Sequence, residues 1–540
     1  MNRDHASLPA HPISRRRVLA ATAAAVTGGA AVATGLPTVA WAADDLVIDL
    51  REYGAKGDGV TDDTAVFNRA LDAIEEAGGG TIVIPAGRYP VGNAERPRLR
   101  DNLKIVGQDA TLLKAGPNGA LFVALSRGRT GYGSGVRNVR ISGLRFLGSY
   151  PNNRLVCPFA LHHASNVLIE DCVFEQVQGS RHCVDLNGCE DIVIRNCRWL
   201  GYNNNEGAAY LGAECIQVDY SYNGALSYND SAGSHDGLMS RRITVQDCEF
   251  RPITVNGVEY PCPNPFGSHG LKEGARFSDL RFVGNLVVDP IQGPSLDDST
   301  DTGMARGAVH LPASSRVLIA DNRFVQTKGR MIRAVSFGAG AVAITEESDP
   351  NASPPIKKVL DEPLGCNDIT IRDNRFEGFV SPDDDTPIQQ VIFLRGLPNG
   401  GEIRDVRISG NTFVGLDLAD HPSTPAIEAR HTTGLTITGN TLERASKIAI
   451  IDPSCSDVII EATKATKITG SGPAVDVAAE RYRIEGNTLT AGSPKPGCAI
   501  ELGDGTPGRV VRNRLTGFTE PIRHPDPLPR GVTVRGNHLG

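Results

Sequence analysis

Short segments of alternating apolar and polar residues recur along most of the chain after residue 140. NVLIEDCVF (166–174) and RVLIADNRF (316–324) show the pattern, in which Val, Leu and Ile alternate with charged residues and a Cys or Asn closes the apolar run. Such alternation predicts β-strands that each bury one face. A single segment cannot enclose its own apolar face, so we expect successive segments to stack on one another.

The closing residue recurs eleven times, at Cys172, Cys197, Cys248, Asn285, Asn322, Asn374, Asn411, Asn440, Asn487, Asn513 and Asn537, with Leu144 in the equivalent place before them. The shortest steps between them are 24 to 29 residues, typical of one coil of a parallel β-solenoid. Longer steps indicate inserted loops, or two coils of which one has a degenerate signature. Stacked Asn side chains would hydrogen-bond along the stack, with the three Cys as buried apolar positions of the same ladder.

These features predict an all-β fold, a single-stranded right-handed parallel β-helix. A leucine-rich-repeat horseshoe is the main competitor, but its shorter repeat and fixed leucine frame are not found in this sequence. The glycine content, 60 residues, and the low aromatic content of 5% suit tight coils with many turns.

The N-terminus predicts export. SRRRVL (14–19) precedes a mildly apolar Ala/Gly stretch that ends at AWA (40–42), the pattern of a twin-arginine signal peptide over residues 1–42. The stretch lacks large apolar residues and contains Pro37, which disfavours a permanent membrane anchor. We therefore expect a secreted protein, residues 43–540, without stable membrane insertion.

Charge and cysteine content narrow the function only a little. The net charge of −7 does not select a substrate, but it argues against nucleic acid, which would need a basic stripe. Six of the eleven Cys lie between residues 157 and 215, and three are closing residues. Stacked neighbours would bridge only with unfavourable geometry, so we expect the ladder cysteines to be reduced packing groups.

The segment DLREYGAKGDGVTDDT (49–64), a predicted helix and GGGTIVIPAGRY (78–89) follow one another near the start of the mature chain. This run resembles the opening of the pectate lyase superfamily, in the branch of rhamnogalacturonase and epimerase-like β-helix proteins, and the match is specific over residues 47–92. Asp62 or Asp63 can cap the helix, whose predicted apolar stripe is Val66, Ala70, Ile74 and Ala77, and Gly78 ends it. We expect residues 43–92 to cover the N-terminal end of the solenoid.

The resemblance implies the fold but not the reaction, because the superfamily includes lyases, hydrolases and epimerases. Polygalacturonase-type hydrolases carry a double Asp before a Gly-His-Gly segment, whereas here GSHG (267–270) precedes Asp297 and Asp298. The calcium cluster and arginine base of pectate lyases cannot be placed residue by residue, so the metal stays unknown and calcium remains a candidate cofactor.

Counting back from the closing residues gives a register for the candidate site. Asp185 and His310 stand twelve positions before their closing residues, and His162 and Asn187 stand ten before theirs. If Val218 is the counterpart of Leu186, Gln217 and Asp219 join the same two columns. We therefore predict polar side chains on one outward face across three to five coils, forming a floor for an extended polysaccharide.

The chemistry follows from the residue types. The catalytic candidates are Asp185, Asp219, His269, Glu214 and His182, and the substrate-binding candidates are Gln217, Asn187, His162, His310, Tyr202, Tyr220 and Arg333, with Trp199 and Tyr222 among the aromatic residues beside them. Hydrolysis needs two carboxylates, while elimination on a uronate needs a base and a cationic group. The sequence predicts a polysaccharide lyase or glycoside hydrolase; a non-catalytic glycan-binding solenoid is the alternative.

Overall fold

A computed structural model describes residues 46–540, except for segments 93–95, 117–118, 149–154, 179–181, 204–213, 227–234, 269, 291–306, 328–332, 345–356, 380–389, 417–424, 471 and 494. The predicted signal peptide and His269 lie outside the described residues. Within the described part of the chain, no helix is both long and apolar enough to span a membrane.

Each full coil contributes three short strands, which stack into three parallel ladders, here called the first, second and third sheets. The first sheet holds the strands that precede the closing residues: Val47–Asp49, Gly80–Ile84, Leu103–Lys114, Val136–Leu147, Ala164–Glu170, Glu190–Arg195, Arg241–Gln246, Phe277–Val283, Ser314–Ala320, Asn367–Arg372, Ile403–Ser409, Thr432–Thr438, Ser456–Glu461, Glu480–Glu485, Gly508–Val511 and Val532–Arg535.

The second sheet holds the strands that follow the closing residues: Gly87–Val91, Val173–Gln178, Arg198–Asn203, Glu249–Arg251, Leu286–Val288, Arg323–Val325, Arg375–Glu377, Thr412–Leu416, Thr441–Ala445, Lys464–Ile468, Thr488–Ala491, Arg514–Thr516 and His538–Leu539. Leu103–Lys114 and Val136–Leu147 continue from the first sheet into the second and join the two.

The third sheet holds Gly119–Ala124, Leu155–His162, Val184–Asn187, Glu214–Asp219, Asn264–Gly267, Val309–His310, Val335–Gly338, Ile392–Arg395, Pro425–Arg430, Lys447–Ile451, Pro473–Val477, Cys498–Leu502 and Glu520–Arg523. Two antiparallel hairpins interrupt the coils, Ile253–Val255 with Val258–Tyr260 and Gly340–Ile344 with Lys357–Leu364. The fold is the predicted right-handed parallel β-helix.

The closing residues form the predicted ladder. Asn322 Nδ2 donates to Asn374 Oδ1 over 2.9 Å, and Asn374 Nδ2 donates to Asn411 Oδ1 over 3.0 Å. The step from Asn440 to Asn487 spans two coils, because Thr463 occupies the position between them and donates its backbone N–H to Asn487 Oδ1. Thr463 is thus the closing residue of a coil whose sequence has neither Cys nor Asn at this position, so the Cys/Asn pattern could not identify that coil.

Aromatic rings fill the interior beside this ladder. Trp199 stacks between Phe174 and Phe250, with ring centroids 4.8 and 4.6 Å apart. All eleven cysteines are buried and free, as expected for reduced packing groups. The core is therefore a column of stacked like residues running along the solenoid axis.

The N-terminal helix, Thr64–Glu76, covers the end of the solenoid, but its buried stripe differs from the predicted one. Phe67, Ala70, Leu71 and Ile74 are buried, while Val66 is half-buried and Ala77 is exposed. Ala70 and Ile74 were predicted correctly, but the larger Phe67 and Leu71 complete the stripe. The carboxylate of Asp63 does not cap the helix; it accepts hydrogen bonds from the backbone N–H groups of residues 56 and 57.

We predict that Asn374→Ala lowers the free energy of unfolding by about 3 kcal/mol, because it leaves buried donors and acceptors on the neighbouring coils unsatisfied. Asn374 accepts from Asn322 N and Nδ2 and donates to Asn411 Oδ1 and Ile319 O. Denaturant unfolding measures the effect. The matched variant Asn537→Ala lies at the part-buried last position of the ladder and should cost clearly less; equal costs would contradict a cooperative Asn ladder.

Candidate functional site

The third sheet has the register that the sequence predicts. One outward column contains, in order along the solenoid, Ala160, Asp185, Gln217, Gly267, His310 and Ser336, and a second contains His162, Asn187 and Asp219. Between them, Val184 and Leu186 belong to the interior core. The polar side chains therefore stand on the outside of the sheet, on consecutive coils.

These columns are not the open floor that the sequence predicts. His162, Asp185, Asn187, Gln217 and Asp219 are all 0% exposed. The chain that follows Asp219 folds back over the outer face of the sheet, where Leu226 packs in one cluster with Val123 and Ala160. The sequence spacing predicts the two columns of polar residues, but it does not predict that a later part of the chain packs over them.

The two aspartates are held by neighbouring polar groups. Asn187 Nδ2 donates to Asp185 Oδ1 over 2.6 Å, and Gln217 Nε2 donates to Asp219 Oδ2 over 3.0 Å. Asp219 Oδ1 also accepts from the backbone N–H of Tyr220 over 2.9 Å. Burial, with the Asp219 charge adding to it, raises the pKa of Tyr220 well above its ordinary value.

Glu214, at the start of the neighbouring strand, lies between two histidines. His182 Nδ1 is 2.8 Å from the carbonyl oxygen of Glu214 and 3.4 Å from its Oε2, and His310 Nε2 contacts Oε1. The side chains of Glu214, His182 and His310 are 5%, 11% and 4% exposed, so they reach solvent slightly, unlike Asp185 and Asp219. We call these three residues the Glu214 cluster.

Gly267 makes the contact between Glu214 and His310 possible. It lies between Gln217 and His310 in the first outward column. A Cβ at this position would be 2.6 Å from Glu214 Cγ and 2.7 Å from His310 Nε2. His310 therefore reaches Glu214 across a coil that carries no side chain at that point.

The hydrogen bonds fix where the imidazole protons are. His310 Nδ1 is 2.9 Å from the carbonyl oxygen of Gly307. A carbonyl oxygen only accepts, so Nδ1 carries a proton in both His310 and His182. The Nε2 of His310 and Oε1 of Glu214 must then share a proton, because two bare acceptors would repel. In its neutral form, His182 has its unprotonated nitrogen at Nε2.

Several predicted residues are placed elsewhere. Tyr202 and Trp199 belong to the interior core, where Cys183 Sγ donates to Tyr202 Oη over 3.7 Å, and burial raises the pKa of Tyr202 well above its ordinary value. They do not form a groove wall, because both point inward from the second sheet. Arg333 is fully buried two coils beyond Gly267 and donates from Nε to Gln390 Oε1. His269 lies outside the described residues.

Sequence reasoning missed two functional features. His182 stands four positions before Leu186, and Glu214 four before Val218, so extending the predicted register would have placed them side by side. In the sequence, Gly267 stands out only as part of GSHG (267–270). The sequence gives no signal that the side chains of Glu214 and His310 meet over this glycine. Within the described residues, no three His, Cys, Asp or Glu side chains come together as metal ligands.

Comparison with known proteins agrees with the fold and the N-terminal motif. The family model described as "Rhamnogalacturonase A/epimerase, pectate lyase-like" matches residues 47–259. Residues 47–259 of this chain are therefore similar to this pectate lyase-like family, in agreement with the resemblance of the N-terminal motif. The matched range covers the N-terminal cap and includes His182 and Glu214, but it ends before Gly267 and His310.

Curated relatives match this chain only in part. "Mannuronan C5-epimerase AlgE1" of Azotobacter vinelandii is 36% identical over 111 residues, 19% of this chain and 8% of that protein. "Plasmin and fibronectin-binding protein A" of Streptococcus pneumoniae (strain ATCC BAA-255 / R6) is 25% identical over 324 residues, 55% of this chain and 42% of that protein. The matches therefore span less than half of these relatives.

Solved structures share the right-handed β-helix fold at low identity. PfbA, a surface adhesin of S. pneumoniae, superposes with a TM-score of 0.56 and 17% identity, covering 82% of this chain and 90% of that one. The tailspike protein of E. coli bacteriophage HK620, in complex with a pentasaccharide, gives 0.55 and 14%, covering 90% and 80%.

Proposed function

We propose that this protein is an exported enzyme that cleaves glycosidic bonds in a polysaccharide bound along the outer face of the third sheet. The observation that carries the proposal is the Glu214 cluster, which places a proton-sharing carboxylate–imidazole pair beside a second imidazole. Relatives that act on or bind saccharides, an epimerase of mannuronan and a phage tailspike with a bound pentasaccharide, support a polysaccharide substrate.

The cluster contains the two groups that glycosidic cleavage requires. The Glu214–His310 pair holds the proton that the leaving oxygen must receive, and His182 Nε2 can accept a proton. Both histidines are oriented by backbone carbonyl oxygens, so neither has to reorganise before the reaction. General acid–base groups held in this way contribute about 10²- to 10⁴-fold each to the rate.

The same groups serve hydrolysis and elimination. In hydrolysis, the bond between the sugar carbon and the glycosidic oxygen breaks as that oxygen takes the shared proton. A water oxygen bonds to the sugar carbon, and His182 Nε2 takes the proton that the water loses. In elimination, His182 Nε2 takes the proton from the carbon beside a sugar carboxylate, a carbon–carbon double bond forms as the carbon–oxygen bond breaks, and the leaving oxygen takes the shared proton. The two reactions give different products, so product analysis distinguishes hydrolysis from elimination.

The experiment is an activity panel of neutral and uronate-containing polysaccharides, assayed with and without chelator. We expect new reducing ends from at least one substrate. Ultraviolet absorbance from an unsaturated product alongside them identifies a lyase, and its absence identifies a hydrolase. Loss of activity in the presence of chelator would show that the reaction also requires a metal ion. No reducing ends from a folded protein on any substrate would contradict the proposal.

A non-catalytic glycan-binding solenoid is the second candidate, and one observation favours it. The carboxylates of Asp185 and Asp219 are fully buried and hydrogen-bonded to neighbouring amides, as structural groups are. The structure of PfbA, described as a surface adhesin, covers 82% of this chain. Retention of a polysaccharide on a column of this protein, without cleavage, would support this candidate.

A further inference from the structure

Three buried imidazoles lie together at the end of the strand Leu155–His162, outside the Glu214 cluster. His162 stacks on His163 with ring centroids 3.9 Å apart, and the ring of His235 is 5.0 Å from that of His162. His162 and His163 are 0% exposed and His235 is 5% exposed. So close a group of titratable rings, removed from water, is costly to charge.

Other groups contact this cluster from every element packed against it. His163 Nε2 is 2.8 Å from Asp236 Oδ1, and Ser134 Oγ is 2.9 Å from His163 Nδ1. Ser221 Oγ shares a hydrogen bond of 2.8 Å with His162 Nε2. The charged or titratable groups that act on His162 are His163, His235 and Asp236, so three imidazoles face a single carboxylate among the described residues.

The cluster joins two parts of the chain. His162 and His163 belong to the third sheet, whereas Ser221, His235 and Asp236 belong to residues 220–226 and 235–240, which we call the covering segment. The two parts of the covering segment are tied together by Ser221 N donating to Leu238 O and Gly237 N donating to Ser221 O, both over 2.9 Å. The histidine contacts thus attach this segment to the sheet.

The covering segment also controls the polar columns. It begins directly after Asp219, supplies the N–H of Tyr220 to Asp219 Oδ1, and carries Leu226 onto the outer face beside Ala160. Lifting it would remove these contacts and expose side chains that are now inaccessible. The histidine cluster therefore lies at one of the attachments of the segment that covers the outer face of the third sheet.

We propose that the cluster of His162, His163, His235 and Asp236 is an acid-sensitive latch, which releases the covering segment when it is protonated and so uncovers Asp185, Asn187, Gln217 and Asp219. At neutral pH the rings stack and the segment stays closed. In acid, added positive charge repels across the stack and the segment opens to solvate it.

The direction and size of the effect follow from proton linkage. Burial, with repulsion from His163 and His235, lowers the pKa of His162 from 6.5 to about 2, and burial also lowers the pKa of His235. A group with a lowered pKa in the closed state favours closure fully above pH 6.5 and loses that contribution as the pH falls. From about pH 7.5 to about pH 5, His162 alone shifts the closed-to-open equilibrium about thirtyfold toward the open state.

Amide hydrogen exchange at about pH 7.5 and about pH 5, corrected for intrinsic exchange rates, tests the latch without any substrate. We expect protection in peptides from residues 220–226 and 235–240 to fall at least about thirtyfold in acid, while peptides from 456–491 keep theirs. His162→Gln should weaken this pH response, and His524→Gln, at an exposed histidine, should leave it intact. His235→Asn serves if His162→Gln does not fold.

Three results would overturn the latch: unchanged protection in the covering segment at acid pH, equal loss in residues 456–491, or a response in His162→Gln and His235→Asn as steep as in the wild type. Because the readout is exchange and not cleavage, failure of the latch and failure of the proposed enzyme activity are distinguishable.

Discussion

Glu214→Gln is expected to lower the rate of polysaccharide cleavage by about a thousandfold while the protein stays folded. Gln has the shape of Glu and can still accept a hydrogen bond from His310, but it cannot hold or release the shared proton. Since the lost group acts in the transition state, kcat should fall and KM should change little. Initial rates over a range of substrate concentrations, with thermal unfolding of both proteins, measure the effect.

The matched control is Glu501→Gln. Glu501 lies far along the solenoid, in the outward column that contains His310, where it pairs with Arg523 and is a third exposed. Its replacement should leave the rate within about twofold, because surface pairs contribute little. A cleavage rate in Glu214→Gln close to that of the wild type would remove Glu214 from the catalytic role.

Gly267→Ala is expected to reduce cleavage by about a hundredfold or more without removing any functional group. The added methyl would lie 2.6 Å from Glu214 Cγ and 2.7 Å from the His310 ring, so one of them must move and the shared proton is lost. Overpacking of this kind costs about 1–3 kcal/mol of stability, less than would unfold the coil stack. Kinetics and denaturant unfolding separate the two effects.

Gly472→Ala is the control for the glycine. Gly472 directly precedes a later strand of the third sheet, and a Cβ there would meet only the Lys447 side chain at ordinary contact distance, 3.6 Å or more. We expect wild-type rates from this variant. Equal activity of Gly267→Ala and Gly472→Ala would show that the Glu214–His310 contact is not used in the reaction.

The fold could be predicted from the sequence because its signals are local and repeated. The closing residues recur along the coils, and counting back from them places Asp185 and His310 in one column. The expected pairing of Val218 with Leu186 adds Gln217 to it. Thr463 escaped the pattern because its backbone N–H, and not an amide side chain, continues the ladder. The pattern recognises residue type, whereas the ladder needs only a group that hydrogen-bonds at that position.

The site was predicted less well, for two physical reasons. Burial of the polar columns depends on the covering segment, which meets the sheet through the side chains of Leu226 and Ser221 and not through any repeat. The inward position of Trp199, by contrast, could have been predicted: it follows Cys197 by two residues, as Phe174 follows Cys172, and both rings stack in the core. Trp199 was instead assigned to a groove wall because it is aromatic, although its distance from Cys197 indicates an inward position.

The most direct test of the central claim measures cleavage and retention of the same polysaccharide by the wild type and by Glu214→Gln in parallel. The account predicts that both proteins retain the polysaccharide on a column, and that only the wild type releases new reducing ends from it. Retention by both without cleavage by either would contradict the account and identify a binding solenoid, and cleavage by both at equal rates would place the catalytic groups elsewhere.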